Sequence, residues 1–257
     1  MMGALELFDV AGKVTVVTGG SGGIGFAISG GLASAGATVV IADILGDQAR
    51  QAAETVRARG GKASAVPVDV TKRESVQQMV SAALAEFGKI DVLVNCAGIL
   101  HRRPIEEVPD EEWDAMMNVN LRGIFLCCQL VGREMIGRRQ GKIVNISSNI
   151  VQPLQPYRGV YAVTKAGVSQ LTRVFALEWA RYHVNVNAIA PAPTLTDLNR
   201  KYFEEHPEDL RLRIESIPLG RMGDPQDYVG PAVFLASRAS DFITGQTYFV
   251  DGGSNLI

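Results

Sequence analysis

Tyr161 and Lys165 stand four residues apart in a stretch, 159–181, whose pattern predicts a helix, so both fall on one face, one turn apart. A free phenol titrates near pH 10 and is a poor acid or base at neutral pH. An ammonium beside it favours the phenolate and draws proton exchange toward working pH. Ser148 lies thirteen residues before the tyrosine, just after the apolar run Ile143-Val144-Asn145-Ile146. That places a hydroxyl at the carboxyl end of a strand, where sites form in parallel sheets, able to donate to a substrate oxygen. A turn or helix-cap role for Ser148 is the alternative, and neighbouring Ser147 fits it equally. Asn120, inside a stretch read as helix, is a mediocre helix former there. It reads either as a buried amide or as the holder of a water near the lysine.

A second cluster has the chemistry of a phosphate cradle. The β-branched run Val14–Val17 leads into five glycines within residues 19–25, and a helix-friendly pattern resumes at Phe26. Strand, glycine turn and helix form the context of a dinucleotide fingerprint. Glycines let a pyrophosphate approach the backbone, and the helix start offers free N–H groups to the anion. Two registers are open, Gly20-x-Gly22-x-x-Gly25 and Thr18-Gly19-x-x-x-Gly23-x-Gly25, with Ser21 and Ile24 inside both. Asp43 ends the next apolar run, Thr38–Ala42, eighteen residues after Gly25, close to where an acid binds the adenosine ribose. It disfavours a ribose 2′-phosphate, and Gly22 and Ile44 supply no basic side chain to receive one. The expected cofactor is therefore NAD.

Alternating elements must carry these groups. Strands are expected at Val14–Thr18, Thr38–Asp43, Ala63–Asp69, Asp91–Asn95, Lys142–Ser147, Val184–Ile189 and Thr247–Val250. Helices are expected near 23–35, 46–59, 72–87, 111–138, 159–181 and 225–236. Such alternation indicates an α/β fold, a parallel sheet with helices on both faces. It breaks only at 190–220, read as a lid over the site in preference to a disordered connection.

With 257 residues, 47% of them apolar, the chain can bury one large core. A net charge of −2 offers no basic excess for nucleic acid. Neither a signal peptide nor a membrane span is read, so a cytoplasmic protein is expected. Cys96, Cys127 and Cys128 read as free buried thiols, and the scattered histidines predict no metal site.

Taken together, Thr18-Gly19-x-x-x-Gly23-x-Gly25, Asp69-Val70, Asn95-x-Ala97-Gly98, Asn120, Ser148, Tyr161-x-x-x-Lys165 and the Asn187–Pro191 stretch resemble the classical short-chain dehydrogenase/reductase family. The resemblance spans residues 8 to 253. It implies a single Rossmann-type domain, a doubly wound sheet of seven parallel strands, and the register Gly19, Gly23, Gly25. It implies Tyr161 as acid/base, Lys165 as ribose ligand and tuner of the tyrosine, Ser148 as holder of the reacting oxygen, and Asn120 as support of a water relay. Asp69 and Val70 would flank the adenine, and Asn95, Ala97 and Gly98 would line the cofactor. Thr194 and Thr196 would meet the carboxamide and phosphates. One departure stands out: Pro191 is followed by Ala192 where the family usually has glycine, which suggests an altered hinge.

Arg102 and Arg103 follow a strand end near where substrate enters, and guanidinium forks suit carboxylates. A solvated basic turn is the plain alternative. The stretch around them resembles that of sugar-acid-oxidising members of the family. The expected substrate is a sugar, sugar acid or polyol, oxidised at a secondary alcohol. The rivals are a 3-oxoacyl-carrier-protein reductase, whose acidic carrier the arginines would dock, and a non-catalytic dinucleotide-binding regulator. The resemblance also implies a homotetramer, through faces carrying Ala162, Ala166, Ser169 and Ala176 and Leu126 and Leu130.

Overall fold

The computed structural model describes residues 3–256. Seven parallel strands form one sheet in the order β3-β2-β1-β4-β5-β6-β7. They are β1 (Val14–Thr18), β2 (Thr38–Asp43), β3 (Lys62–Pro67), β4 (Val92–Asn95), β5 (Gly141–Ile146), β6 (Val184–Pro191) and β7 (Thr247–Val250). Side chains alternate across the sheet. Val16, Leu93 and Ile143 join a core on one face with α3 (Arg73–Phe87), α5 (Gly123–Arg138) and α6 (Gly159–Trp179). Val17, Ile41, Val94 and Val144 face the other way, onto α1 (Gly23–Ser34), α2 (Gly46–Ala58) and α9 (Val229–Ala236). This is the doubly wound α/β arrangement.

The winding sets the site's place. From β1 the chain runs outward to β2 and β3, then crosses to the other side of β1 to lay down β4. A crevice opens at that reversal, outside the carboxyl ends of the strands. Register keeps those ends level: Thr18 pairs with Ala42 and Asn95, and Asn95 with Asn145. Gly19, Asp43, Cys96 and Ser147 therefore leave the sheet along one rim.

Two stretches differ from the sequence expectation. The long helix near 111–138 is interrupted: α4 (Asp110–Met116) passes through a π turn, Met117–Arg122, before α5. The whole run Asp110–Arg138 has the length and hydropathy of a membrane span, yet half of its apolar window is buried inside the fold. Ile124, Leu126, Cys128, Val131 and Met135 pack on the sheet, which marks a core helix. The stretch 190–220 forms two short helices, α7 (Asp197–Glu205) and α8 (Pro207–Glu215). They fold over a small core of Phe203, Ile217 and Met222, with Leu210 and Ile214 packed against it.

Candidate active site

The glycine turn is shaped by the two conformations that only glycine adopts cheaply. Gly19 (φ +65°) and Gly23 (φ +51°) are left-handed, whereas Gly22 is extended at φ −147°. A Cβ at Gly19 would stand 2.7 Å from Ala97 N and Cα, and one at Gly25 would overlap the Gly19 carbonyl. At Gly22 the same atom meets nothing within 4 Å. Gly20 is closed to a side chain as well, 2.7 Å from Val17 O, but Gly22 is not, and the left-handed positions are Gly19 and Gly23, which favours the register Gly19, Gly23, Gly25. Gly23 opens α1, and Ile24 packs against the core beneath.

Asp43 stands at the end of β2 facing this turn. Its Oδ2 accepts from Ser21 N (3.2 Å) and Ser21 Oγ (2.7 Å), while Oδ1 accepts from Leu45 N (3.1 Å). The carboxylate is thus locked in orientation by the glycine turn itself. Just beyond β3, Asp69 Oδ1 accepts from Thr71 N and Oγ1, and Oδ2 pairs with Lys72 at 3.2 Å. The Thr71 hydroxyl leads the contributions that hold this carboxyl below its usual range. Val70 is buried, in the space that a side chain at Gly123 would need.

The catalytic candidates meet beside the loop after β4. Lys165 is buried, and its Nζ donates to the Ile146 carbonyl at 2.8 Å. The same Nζ lies 5.6 Å from the centre of the Tyr161 ring. A Cβ at Gly98 would come within 3.3 Å of Asn120 Oδ1 and 3.7 Å of Lys165 Nζ, so glycine there leaves both groups room. Asn120, on the π turn, is fully buried. Its Oδ1 accepts from Ile99 N (2.8 Å), and its Nδ2 donates to Ile99 O (2.9 Å) and Thr164 Oγ1 (3.2 Å). One amide thus ties the loop after β4 to α6, and π turns recur at functional sites. Ser148 is nearly buried and its Oγ accepts from Ile150 N at 3.3 Å, which leaves its proton free to donate. That bond makes Ser148 the cap of the short turn Asn149–Val151 as well, while Ser147 braces α6, donating to Lys165 O (3.0 Å) and meeting Ser169 Oγ (2.9 Å).

Other expected residues separate. The side chain of Asn95 points into the interior: its Nδ2 donates to Asn145 Oδ1 (2.8 Å) and Cys128 Sγ (3.3 Å), and its Oδ1 is buried without a partner. It braces β4 against β5 rather than facing the crevice, because strand alternation turns it toward α5. Ala97 backs Gly19. Ala192 does not need the left-handed region: among the described residues only Arg139, Tyr157 and His183 have positive φ without being glycine. The altered hinge expected there has no basis in the backbone. Thr194 Oγ1 donates to Ala192 O (2.8 Å) and meets Tyr228 Oη (2.6 Å), so this hydroxyl holds the turn after Pro191. Thr196 lies over the glycine turn, its Cγ2 3.5 Å from where a Gly23 Cβ would be.

The arginine pair splits. Arg103 forks onto Glu112, with Nη2 to Oε1 at 2.7 Å and Nε to Oε2 at 3.2 Å. It is spent on an intramolecular ion pair. Arg102 is exposed and pairs with no carboxylate among the described residues; it interacts with Arg158 and Arg213, neither of which the sequence reading singled out. Burial of Cys96 pushes its thiol up to about 11, and burial of Cys127 to about 12, so neither supplies a thiolate nucleophile at neutral pH.

A rim-level acid facing a left-handed glycine turn, with a lysine–tyrosine pair across the crevice, fits a dinucleotide and defines an NAD(P)-dependent dehydrogenase. Residues 19–255 match the family described as Enoyl-(Acyl carrier protein) reductase. The chain belongs to the classical short-chain dehydrogenases/reductases. It is 40% identical over 248 residues to the 5-keto-D-gluconate 5-reductase of Escherichia coli (strain K12), covering 96% of this chain and 97% of that one. It is 39% identical over 250 residues to the NAD-dependent glycerol dehydrogenase of Listeria innocua, covering 97% and 96%. The solved gluconate 5-dehydrogenase of Burkholderia cenocepacia J2315, in complex with NADP and tartrate, superposes with a TM-score of 0.93 at 39% identity, covering 99% of this chain and 100% of that one.

Proposed function

We propose that this enzyme interconverts a secondary alcohol and a ketone on a sugar acid, with NAD(H) as the preferred cofactor and Tyr161 as the acid/base. One observation carries the reading: Lys165, buried and anchored on the carbonyl of Ile146, holds its ammonium beside Tyr161 at the end of the strand that leads to Ser148. In oxidation Tyr161, as phenolate, takes the proton of the substrate hydroxyl, and in reduction it returns it. Ser148 donates to the same oxygen. Lys165 stabilises the phenolate, and Asn120 fixes the loop bounding the pocket. Gly19, Gly23 and the start of α1 would hold the pyrophosphate, and Asp43 the adenosine ribose. A bound nicotinamide supplies the hydride-accepting position. Residues 190–220 act as the lid. The names of the relatives, a ketogluconate reductase and a gluconate dehydrogenase among them, support the sugar-acid class. A panel of gluconate, deoxygluconate, sorbitol and glycerol, assayed with both cofactors, is expected to give the highest kcat/KM on an acid. No turnover of any of them removes the proposal.

Relatives divide over the cofactor, since one is an NAD-dependent enzyme and several solved ones contain NADP. Asp43 supports NAD for this chain. Its carboxylate is pinned by three donors beside the ribose position, and a 2′-phosphate there meets like charge. NAD is expected to be favoured by kcat/KM, and Asp43→Ser to narrow that preference at least ~10-fold, about the worth of one charge-assisted contact. A wild-type enzyme favouring NADP would reverse the assignment.

A homotetramer remains our reading, with a corrected face. Of the expected residues, Ala162, Ala176, Leu126 and Leu130 are buried within the chain itself, whereas Ala166 is exposed and Ser169 half-buried. The outward apolar residues of α6 are Val163, Ala166, Val174 and Leu177, the last 83% exposed, and they share one helix face.

A further inference from the structure

Three arginines from three separate elements act on one another at the turn that leads into α6 and Tyr161. Arg102 lies on the loop after β4, Arg158 stands at the boundary where α6 begins, three residues before the tyrosine, and Arg213 lies on α8. Two bonds bring them together at one turn. Arg103 N donates to Tyr157 O at 2.9 Å, which seats the β4 loop against residues 157–158. Arg213 Nη1 donates to Gln155 Oε1 at 2.7 Å, which seats α8 against the same turn. Tyr157 at that junction is left-handed (φ +65°), a conformation a tyrosine adopts only when its surroundings impose it.

The three positive charges act on one another with little to balance them. Neither Arg102 nor Arg158 has an ion-pair partner among the described residues. The carboxylate that acts on Arg213 is Asp209, whose Oδ2 already accepts from Tyr202 Oη. Burial, followed by the Arg213 and Arg102 charges, brings Arg158 down to about 10, and burial and Arg102 likewise lower Arg213. Like charges are not assembled at a partly buried rim without cost unless an anion joins them.

We infer that Arg102, Arg158 and Arg213 form a clamp for the carboxylate of the substrate, with the guanidinium from α8 completing it. This rests on the sugar-acid reading above and deepens it: the charged end of an aldonic acid is anchored at residues 102, 158 and 213, so that an inner hydroxyl reaches Tyr161 and Ser148. It also assigns Arg103, its sequence neighbour, to structure alone. A neutral polyol cannot engage the clamp and leaves three cations uncompensated.

The test compares gluconate with sorbitol, its neutral counterpart, in the full-length enzyme with saturating NAD. The ratio of their kcat/KM values is expected to favour gluconate, and Arg213→Gln to lower that ratio at least ~10-fold, chiefly through KM. Arg102→Gln, on a different loop, is expected to act in the same direction, and Arg213→Lys to recover part of the loss, since it keeps the charge but not the fork. Calorimetric titration of gluconate into the same proteins gives a readout that needs no turnover. Turnover of gluconate with a ratio insensitive to both glutamine variants overturns the clamp and leaves the proposed function standing. Gluconate binding that weakens in both variants, without turnover by the wild type, sustains the clamp and overturns the function.

Discussion

Replacing Tyr161 by phenylalanine is expected to lower kcat by ~10³-fold or more while dinucleotide affinity and thermal stability stay close to wild type. The argument is local. General acid–base groups contribute roughly 10²–10⁴ to a rate, and none of the groups set beside this phenol can substitute for it. Ser148 is an alcohol without a base of its own, and Lys165 Nζ is fixed on the Ile146 carbonyl. Among the described residues the hydroxyl makes no hydrogen bond, unlike the backbone carbonyl of the same residue, which accepts from Thr164 Oγ1 at 2.7 Å. Removing the oxygen therefore breaks no structural bond. The checks are steady-state turnover, quenching of protein fluorescence by NADH, and a melting curve. Retained turnover sinks the acid/base assignment, and lost NADH binding shows the ring to be structural.

Much of this fold is legible in the chain because the central strands, β1, β2 and β4 above all, are apolar runs buried on both faces, which read as continuous segments. β1, β2 and β7 fall on the expected residues, and the others shift by one or two positions at their ends. The helices α7 and α8 were not legible. They are short and polar, and they hold together through Phe203, Ile217 and Met222, contacts that no local period announces. Nor was the π turn, since Met117–Arg122 carries no composition that separates it from ordinary helix. The site divides along the same line. Tyr161, Lys165, Ser148 and the glycines have fixed spacing in sequence and could be found there. Arg158 and Arg213 are 55 positions apart and come together where Arg213 bonds Gln155, three residues before Arg158. The one available signal was Arg158's place at the helix start before Tyr161. Arg102 and Arg103 show the converse: adjacent in sequence, they diverge because Glu112 captures one of them.

The second large effect is steric and falls on the cofactor. Gly25→Ala is expected to lower NAD affinity by ~100-fold or more and to destabilise the fold by roughly 1–3 kcal/mol, the usual cost of overpacking. The added methyl overlaps the carbonyl oxygen of Gly19 and crowds Gly20 Cα at 3.2 Å. The turn has no room to retreat, because Gly19 is already so close to Ala97 that only a residue without a Cβ fits between them. The strain must then be relieved by tilting α1 or distorting residues 19–22. Either movement turns the N–H groups at the helix start away from the pyrophosphate and disturbs Ser21, whose two bonds orient Asp43. One methyl thus weakens both ends of the dinucleotide site. Gly22→Ala is the internal control for stability: its backbone is extended and its Cβ meets open space, so its melting temperature should match wild type. For a chain of this length, 1 kcal/mol corresponds to about 2–4 °C, so a differential melt of the two variants separates them. If Gly25→Ala binds NAD as wild type does, the left-handed turn is not the phosphate cradle, and the cofactor must enter by another edge of the sheet.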